Sequence, residues 1–415
     1  DIQKAIDKAE ATANDAKKGA KTATWLKLGQ SWLDAYNQPT ANVVGGTKQE
    51  LALTMGSDKP KSSEVVDLIG TQYEKVAYAN KNLYFDAAGH LSFIEVTKPV
   101  YKDKDALAEA LAAYKKAAEL DVKGAKTKDI SAAIKGISEK YYSDAFVAYQ
   151  TGDKAKAAEL FAASASAAAT KPYDTPDWSA YYNAGVMSLE NKDYDKAKGY
   201  FETAFANGYE QEGSVYANLA EVNLAAKDTL AAKKLLEDGF SKYPENVQVM
   251  TSLINLYIST DENPEKIISL LDLAKKEMPD NASLYYVEGD IWGKLKNYDK
   301  AVEAYRKCVE VQPKYEMGFY GEGSLWYNRA LAIQEEANAL PFNEYKKYDA
   351  LQEELSASLK KCIDPFEKCF SLSENDAVKQ SAADYLKRVY FIFRNESPEY
   401  KANYEKYDAY LQGSK

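Results

Sequence analysis

Few residues of this 415-residue chain have types that could do chemistry: three cysteines, one histidine and some adjacent carboxylates. Cys362 and Cys369 stand seven positions apart, two helical turns, and Cys308 lies far from both in sequence. A zinc site collects four nitrogen or sulfur ligands, which these residues and His90 do not supply at a ligand-like spacing. An odd number of cysteines on helical segments is no disulfide framework, so the three read as small buried packing residues. Glu353 and Glu354 fall on what reads as a solvated helix face, whereas a glycosidase pair needs a separation fixed across a cleft. Gly-x-Ser-x-Gly, the phosphate loop and the glycine-rich dinucleotide fingerprint are absent from the sequence. The expectation is a non-enzymatic protein with no catalytic residue, cofactor or metal.

Composition narrows the partners. Hydrophobic residues make up 46% of the chain, enough for a packed core, and charged residues 28%. A net charge of -10 works against binding a phosphate backbone, which needs clustered cations to displace counterions. Arginine occurs only at 306, 329, 388 and 394, so bidentate readout of phosphate or guanine is poorly supplied. Nucleic acid is therefore not expected as a partner. No run approaches the ~20 apolar residues of a membrane-spanning helix. The chain begins at Asp1 and not at Met, which suggests removal of a leader and a periplasmic or cell-envelope location, with the cytoplasm left open.

The elements are set by a repeat. Residues 282–315 write two short helices: Tyr285, Gly289 and Trp292 share one face, Ala301, Tyr305 and Cys308 another, Asn297 and Asp299 mark the turn and Pro313 ends the unit. The same phase recurs at Gly185, Ala220, Ile254, Gly289 and Gly323, at intervals of 35, 34, 35 and 34, and Pro244, Pro279 and Pro313 share one phase. This pattern resembles the tetratricopeptide repeat, a 34-residue helix-turn-helix unit. Trp25, Leu28, Gly29 and Trp32 give its first-helix signature in full, while Glu288 replaces the usual Leu in the unit at 282–315. The resemblance implies an all-α, right-handed superhelical solenoid of about seven helix pairs.

Against that register the chain divides readily. Residues 1–20 read as one amphipathic capping helix carrying Ile2, Ala5, Ile6, Ala9, Ala13 and Ala16 on one side. Residues 21–124 form a first repeat interrupted by an insert at 37–104. Within the insert, Ser62 or Ser63 is expected to cap a helix bearing Val65, Val66, Leu68, Ile69, Tyr73 and Val76, followed by a β-hairpin around Asp86–His90. A degraded second repeat and linker occupy 125–177, the Pro-rich end marking a bend between two halves of the array. Four contiguous repeats follow at 178–315, then a seventh at 316–375 with a helical-hairpin insert at 335–358, and capping helices at 376–415.

The resemblance also implies that first helices line a concave face. Helical spacing then points inward Tyr142, Phe146 and Tyr149; Tyr182, Val186 and Leu189; Glu221; Asn255; Tyr286 and Asp290; and Tyr320, Ser324 and Tyr327. With 33 tyrosines in the chain, this is an amphipathic groove with an acidic centre. Tyrosine offers contact area, few rotatable bonds and a polar tip. The function expected is a protein-interaction scaffold that binds an extended protein or peptide partner in the groove. Two further readings stand beside it: a carbohydrate-binding surface protein, and a structural subunit of a cell-envelope assembly whose contacts lie on its inserts. Repeats of this family that hold the carboxyl-terminal peptide tails of chaperones use inward lysines, whereas here those positions carry Ser, Tyr, Asp and Glu.

Overall fold

The computed structural model describes residues 2–341 and 343–413. They divide into two compact units, one ending at Asp238 and the other starting at Gly239.

In the first unit α1 (Ile2–Ala13) packs on α2 (Thr22–Asn37), and α2 pairs directly with α4 (Ala106–Leu120), closing the first repeat over the inserted segment between them. That segment holds α3 (Lys48–Thr54) and a four-stranded antiparallel meander, β1 (Ser62–Leu68), β2 (Thr71–Ala77), β3 (Lys81–Phe85) and β4 (Leu91–Val96), in that order. Pairs α5 (Thr127–Gln150) with α6 (Lys154–Ala168), and α7 (Trp178–Glu190) with α8 (Tyr194–Ala206), follow, then α9 (Ser214–Ala225). α10 (Thr229–Lys242) contains the boundary between the units.

The second unit contains α11 (Val247–Ser259), α12 (Pro264–Glu277), α13 (Ala282–Lys294) and α14 (Tyr298–Val311), packed as successive pairs. α15 (Met317–Asn338) and α16 (Tyr345–Lys361) then run antiparallel, tied by Arg329 to Glu354 at 2.6 Å and Lys347 to Glu336 at 3.2 Å. This is the helical hairpin expected on either side of Pro341. α17 (Ile363–Leu372) returns to α15, and α18 (Asp376–Phe393) and α19 (Pro398–Gly413) close the unit.

One turn recurs between the helices of a pair. A residue in the left-handed region, Gly152, Lys192, Lys227 or Lys296, precedes an Asp or Asn whose side chain accepts a backbone N–H three residues on. Such a side chain satisfies a donor that the first helical turn leaves unpaired. In the pair α11–α12 the left-handed residue is Asp261 and the cap is Asn263, so this turn is one residue longer.

The same glycine sits at the crossing of the first and second helices. A Cβ at Gly29 would lie 2.7 Å from Tyr114, at Gly185 2.6 Å from Phe201, at Gly289 2.5 Å from Tyr305 and at Gly323 2.8 Å from Phe366. Each aromatic ring lies flat on the space a side chain would fill. Cys308, Cys362 and Cys369 are fully buried free thiols in these crossings. Burial pushes them up to about 11, about 12 and about 12, which keeps them protonated and inert.

Two expectations need correction. Residues 62–77 are not a helix but β1 and β2, whose partners run from Ser62 with Ala77 to Leu68 with Thr71. The Ile69-Gly70 turn has both φ values positive, 53° and 73°, as a two-residue hairpin requires, and the β-branched Val65, Val66, Thr71 and Val76 suit a pleated surface. The first helix ends at Ala13 and does not reach residue 20, because the Asp15 carboxylate takes the backbone N–H groups of Lys17 and Lys18 and folds the chain locally. Across residues 171–177, α6 packs directly against α7.

Candidate functional site

The insert is a small body with its own core: Leu51 and Met55 of the α3 segment rest on Val76, Leu83 and Phe85 of the sheet. Thr47 and Glu50 form a reciprocal capping box that starts α3. Lys81, 1% exposed, is held by Asp58 at 2.6 Å and by Asn42 at 3.2 Å, fixing the loop before β1 over the sheet. On the other face Tyr84 stacks on Phe93 at 4.3 Å, and both Tyr84 and Asn82 donate to Glu95.

Within the first unit, β4 approaches α5. The gap beside that approach is a cavity of about 530 Å³ lined by Tyr36, Thr40, β4 and the Tyr142–Val147 stretch of α5. Phe93, Ile94, Phe146 and Val147 contribute to its lining. Two further cavities, of about 610 and 310 Å³, share Val96 and Asp144 with it.

Asp144 stands at the seam of all three. Its Oδ1 accepts a hydrogen bond from Tyr36 Oη at 2.9 Å, and Tyr141 Oη donates to Asp105 at 2.8 Å. Burial pushes the Asp144 carboxyl up to about 6 and outweighs Tyr36, Lys156 and Lys140, which act the other way. Lys140 is engaged elsewhere, donating to Asn37 at 2.9 Å with its charge 5.1 Å from the Tyr36 ring.

The residues assigned to a groove are distributed between the two units. In the first, Tyr142 and Phe146 are 39% and 46% exposed on α5, one turn apart, with Tyr149 half-buried behind them. Tyr142 also packs edge-on against Phe161 and accepts a bond from Asn183. Tyr182 is more committed: its hydroxyl accepts from Asn218 and its ring leans on Phe201 and Tyr209. Val186 and Leu189 pack beside it and Glu221 is exposed.

In the second unit Asn255 is exposed. Asp290 accepts from Tyr305 Oη at 2.6 Å, the Tyr286 ring lies 6.0 Å from that of Tyr305, and burial raises the Asp290 carboxyl. Tyr320 shares a 2.8 Å hydrogen bond with Ser381, and Tyr327 meets Tyr385 at 4.8 Å, so α18 covers both rings. Ser324 Oγ is buried with no partner among the described residues. What the inward positions missed is the contribution of the insert. β4, Tyr36 and Asp144 belong to the cleft although no helical register points to them, and the two-residue turn at Ile69-Gly70 is the signal that a sheet was there.

The sequence profile of the tetratricopeptide repeat matches residues 179–206 and 282–315, which are the pairs α7–α8 and α13–α14. Those two helix pairs are tetratricopeptide repeats. The chain's repeats are helix pairs of the kind that build protein-interaction scaffolds. No curated protein matches it. Among solved structures, YrrB, described as a tetratricopeptide-repeat protein with an unusual peptide-binding site, is 19% identical and covers 48% of this chain and 97% of its own, with a TM-score of 0.38. A tetratricopeptide-repeat protein from Parabacteroides merdae is 15% identical over 60% of this chain and 98% of its own, TM-score 0.40. The C-terminal part of one from Cytophaga hutchinsonii is 15% identical over 65% and 93%, TM-score 0.47. No described helix is long and apolar enough to cross a membrane.

Proposed function

We propose that the protein is a non-enzymatic scaffold that holds an extended polypeptide segment of a partner, and that in the first unit this segment lies in the cleft between β4 and α5. The observation that carries this is the pair Tyr142 and Phe146: two large aromatic side chains, 39% and 46% exposed, that line with β4 a cavity of about 530 Å³. Exposed aromatics in a walled recess are the residues that anchor partners, because a side chain inserted there loses water on all sides while the wall is already in place. The insert supplies that wall. A first helix alone would offer only a convex row of side chains.

The test is capture of the partner from the native source by wild type, by a Tyr142→Ala/Phe146→Ala double variant and by an exposed control, Leu53→Ala on α3. The double variant is expected to lose binding by about tenfold or more, since anchor truncations cost about 2 kcal/mol or more, with the helical signal unchanged and the control equal to wild type. Equal capture by all three proteins would overturn the assignment to this cleft.

A further inference from the structure

The two edges of the inserted sheet are finished differently. β4 is covered: Leu91 N–H donates to Gly46 O at 2.7 Å, Lys48 N–H donates to Gly89 O at 3.1 Å, and α5 stands beside the strand. β1 is open. Its seven residues include no Pro and no Lys, two of the devices that keep an edge from pairing, and residues 62–65 and Asp67 are exposed, Val65 at 71%. The turn at Ile69-Gly70 closes on Leu68 and Thr71, which in a two-residue hairpin exchange hydrogen bonds. Bonding then alternates along the ladder, so Leu68, Val66 and Glu64 are tied to β2, and the N–H and C=O groups of Ser63, Val65 and Asp67 point away from the sheet. Tyr78 N–H donates to Lys81 O across the next turn, which sets the same alternation on β2. Among the described residues, no backbone group outside the sheet bonds to Ser63, Val65 or Asp67.

We propose that a second copy of the chain pairs with this edge, β1 against β1, antiparallel about a twofold axis at Val65, so that the two meanders join into one sheet. The sequence of β1 is its own complement in that register. Ser63 meets Asp67 of the second copy, Val65 meets its counterpart, and every outward backbone group finds an outward partner. Neighbouring registers do worse. An axis at Glu64 or at Asp67 sets two like carboxylates directly opposite each other, which destabilises a pair of strands. An axis at Val66 brings Ser63 against Ile69, which lies in the turn with a φ of 53°. With the axis at Val65, each acid faces Ser63 or Val66 of the other copy. Both carboxylates are also held within their own sheet, Glu64 by Lys75 at 3.2 Å and Asp67 by the backbone N–H of Gly70 at 3.0 Å. The exposed Val65 side chains cover one another across the axis, a β-branched pair of the kind that stabilises a sheet.

The experiment is sedimentation equilibrium of the full chain from about 1 to about 500 µM, because a short strand pairing falls at the weak end of interfaces. Wild type is expected to pass from monomer to dimer across that range. Val65→Lys sets two ammonium groups opposite each other at the axis and should weaken dimerisation about tenfold or more, with an unchanged circular dichroism spectrum. The register has its own readout. Opposed Cα atoms of a hydrogen-bonded pair stand about 5.5 Å apart, within the reach of a disulfide, and the three native cysteines are buried. Under mild oxidation Val65→Cys is therefore expected to form a covalent dimer about tenfold faster than Leu53→Cys, whose site is 87% exposed and reports random collision. A chain that stays monomeric at about 500 µM overturns self-pairing, even if the edge then takes up a foreign strand. A dimer that Val65→Lys leaves unchanged, or equal cross-linking of the two cysteine variants, overturns it as well.

Discussion

Gly289 on α13 and Tyr305 on α14 touch so closely that a Cβ on the glycine would stand 2.5 Å from Cε1 of the ring, inside any real van der Waals contact. The ring is pinned from a second side by Gly321, and its hydroxyl is bonded to Asp290. It has nowhere to move without breaking that bond. Gly289→Ala is therefore expected to lower the stability of the second unit by about 1–3 kcal/mol, the usual cost of overpacking a filled core, although alanine is the better helix former by about 1 kcal/mol. Tyr305→Leu in the same background should recover part of the loss by vacating the ring's space. Urea unfolding checks both; a Gly289→Ala variant as stable as wild type would show that the helices can slide apart at no cost.

That contact also marks how far the sequence could be read. The recurrence of a small residue at Gly185, Gly289 and Gly323 reports the backbone approach of two helices, and a constraint of that kind shows through in any repeat. The inserted sheet was hidden for the opposite reason. Val65, Val66, Leu68 and Ile69 form a short apolar run that helical and strand periods fit equally, and only the turn at Ile69-Gly70 distinguishes them. Register assigns the inward positions, but it says nothing about what covers them. Tyr320 and Tyr327 are occupied by α18, a later element, whereas Tyr142 and Phe146 are left accessible and gain a wall from an earlier one.

The insert's integrity should rest on Lys81. Its ammonium is buried beside Asp58, Asn42 and Asn80, so Lys81→Ala leaves the Asp58 carboxylate with the Asn42 amide as its remaining donor. Removing the donor of a part-buried hydrogen-bonded pair costs about 1–3 kcal/mol, enough to loosen the 41–60 segment from the sheet. Limited proteolysis is expected to cut Lys81→Ala within residues 41–60 at protease levels that leave wild type intact, with α5 to α8 protected in both. Equal resistance of the two proteins would mean that the apolar contacts of Leu51 and Met55 hold the segment unaided.

Asp144 makes the stability of the first unit depend on pH in a direction opposite to that of a salt-bridged carboxylate. Its folded pKa, about 6, lies above the ordinary value of 3.8, and the first cause is burial. A carboxyl raised in this way favours the fold while it is neutral. The contribution is complete below the unfolded pKa and is lost as pH climbs through the folded one, so the window runs from about pH 4 to about pH 6. Two pKa units correspond to about 3 kcal/mol, an upper bound because the group keeps some contact with water. In Asp144→Asn the amide oxygen can still accept from Tyr36, and nothing at that position titrates. Subtracting the pH profile of the variant from that of wild type cancels the other carboxylates. The difference is expected to move by about 2–3 kcal/mol against wild type between about pH 4 and pH 7 in urea unfolding followed by circular dichroism. Parallel profiles would place the Asp144 carboxylate in water in the folded state.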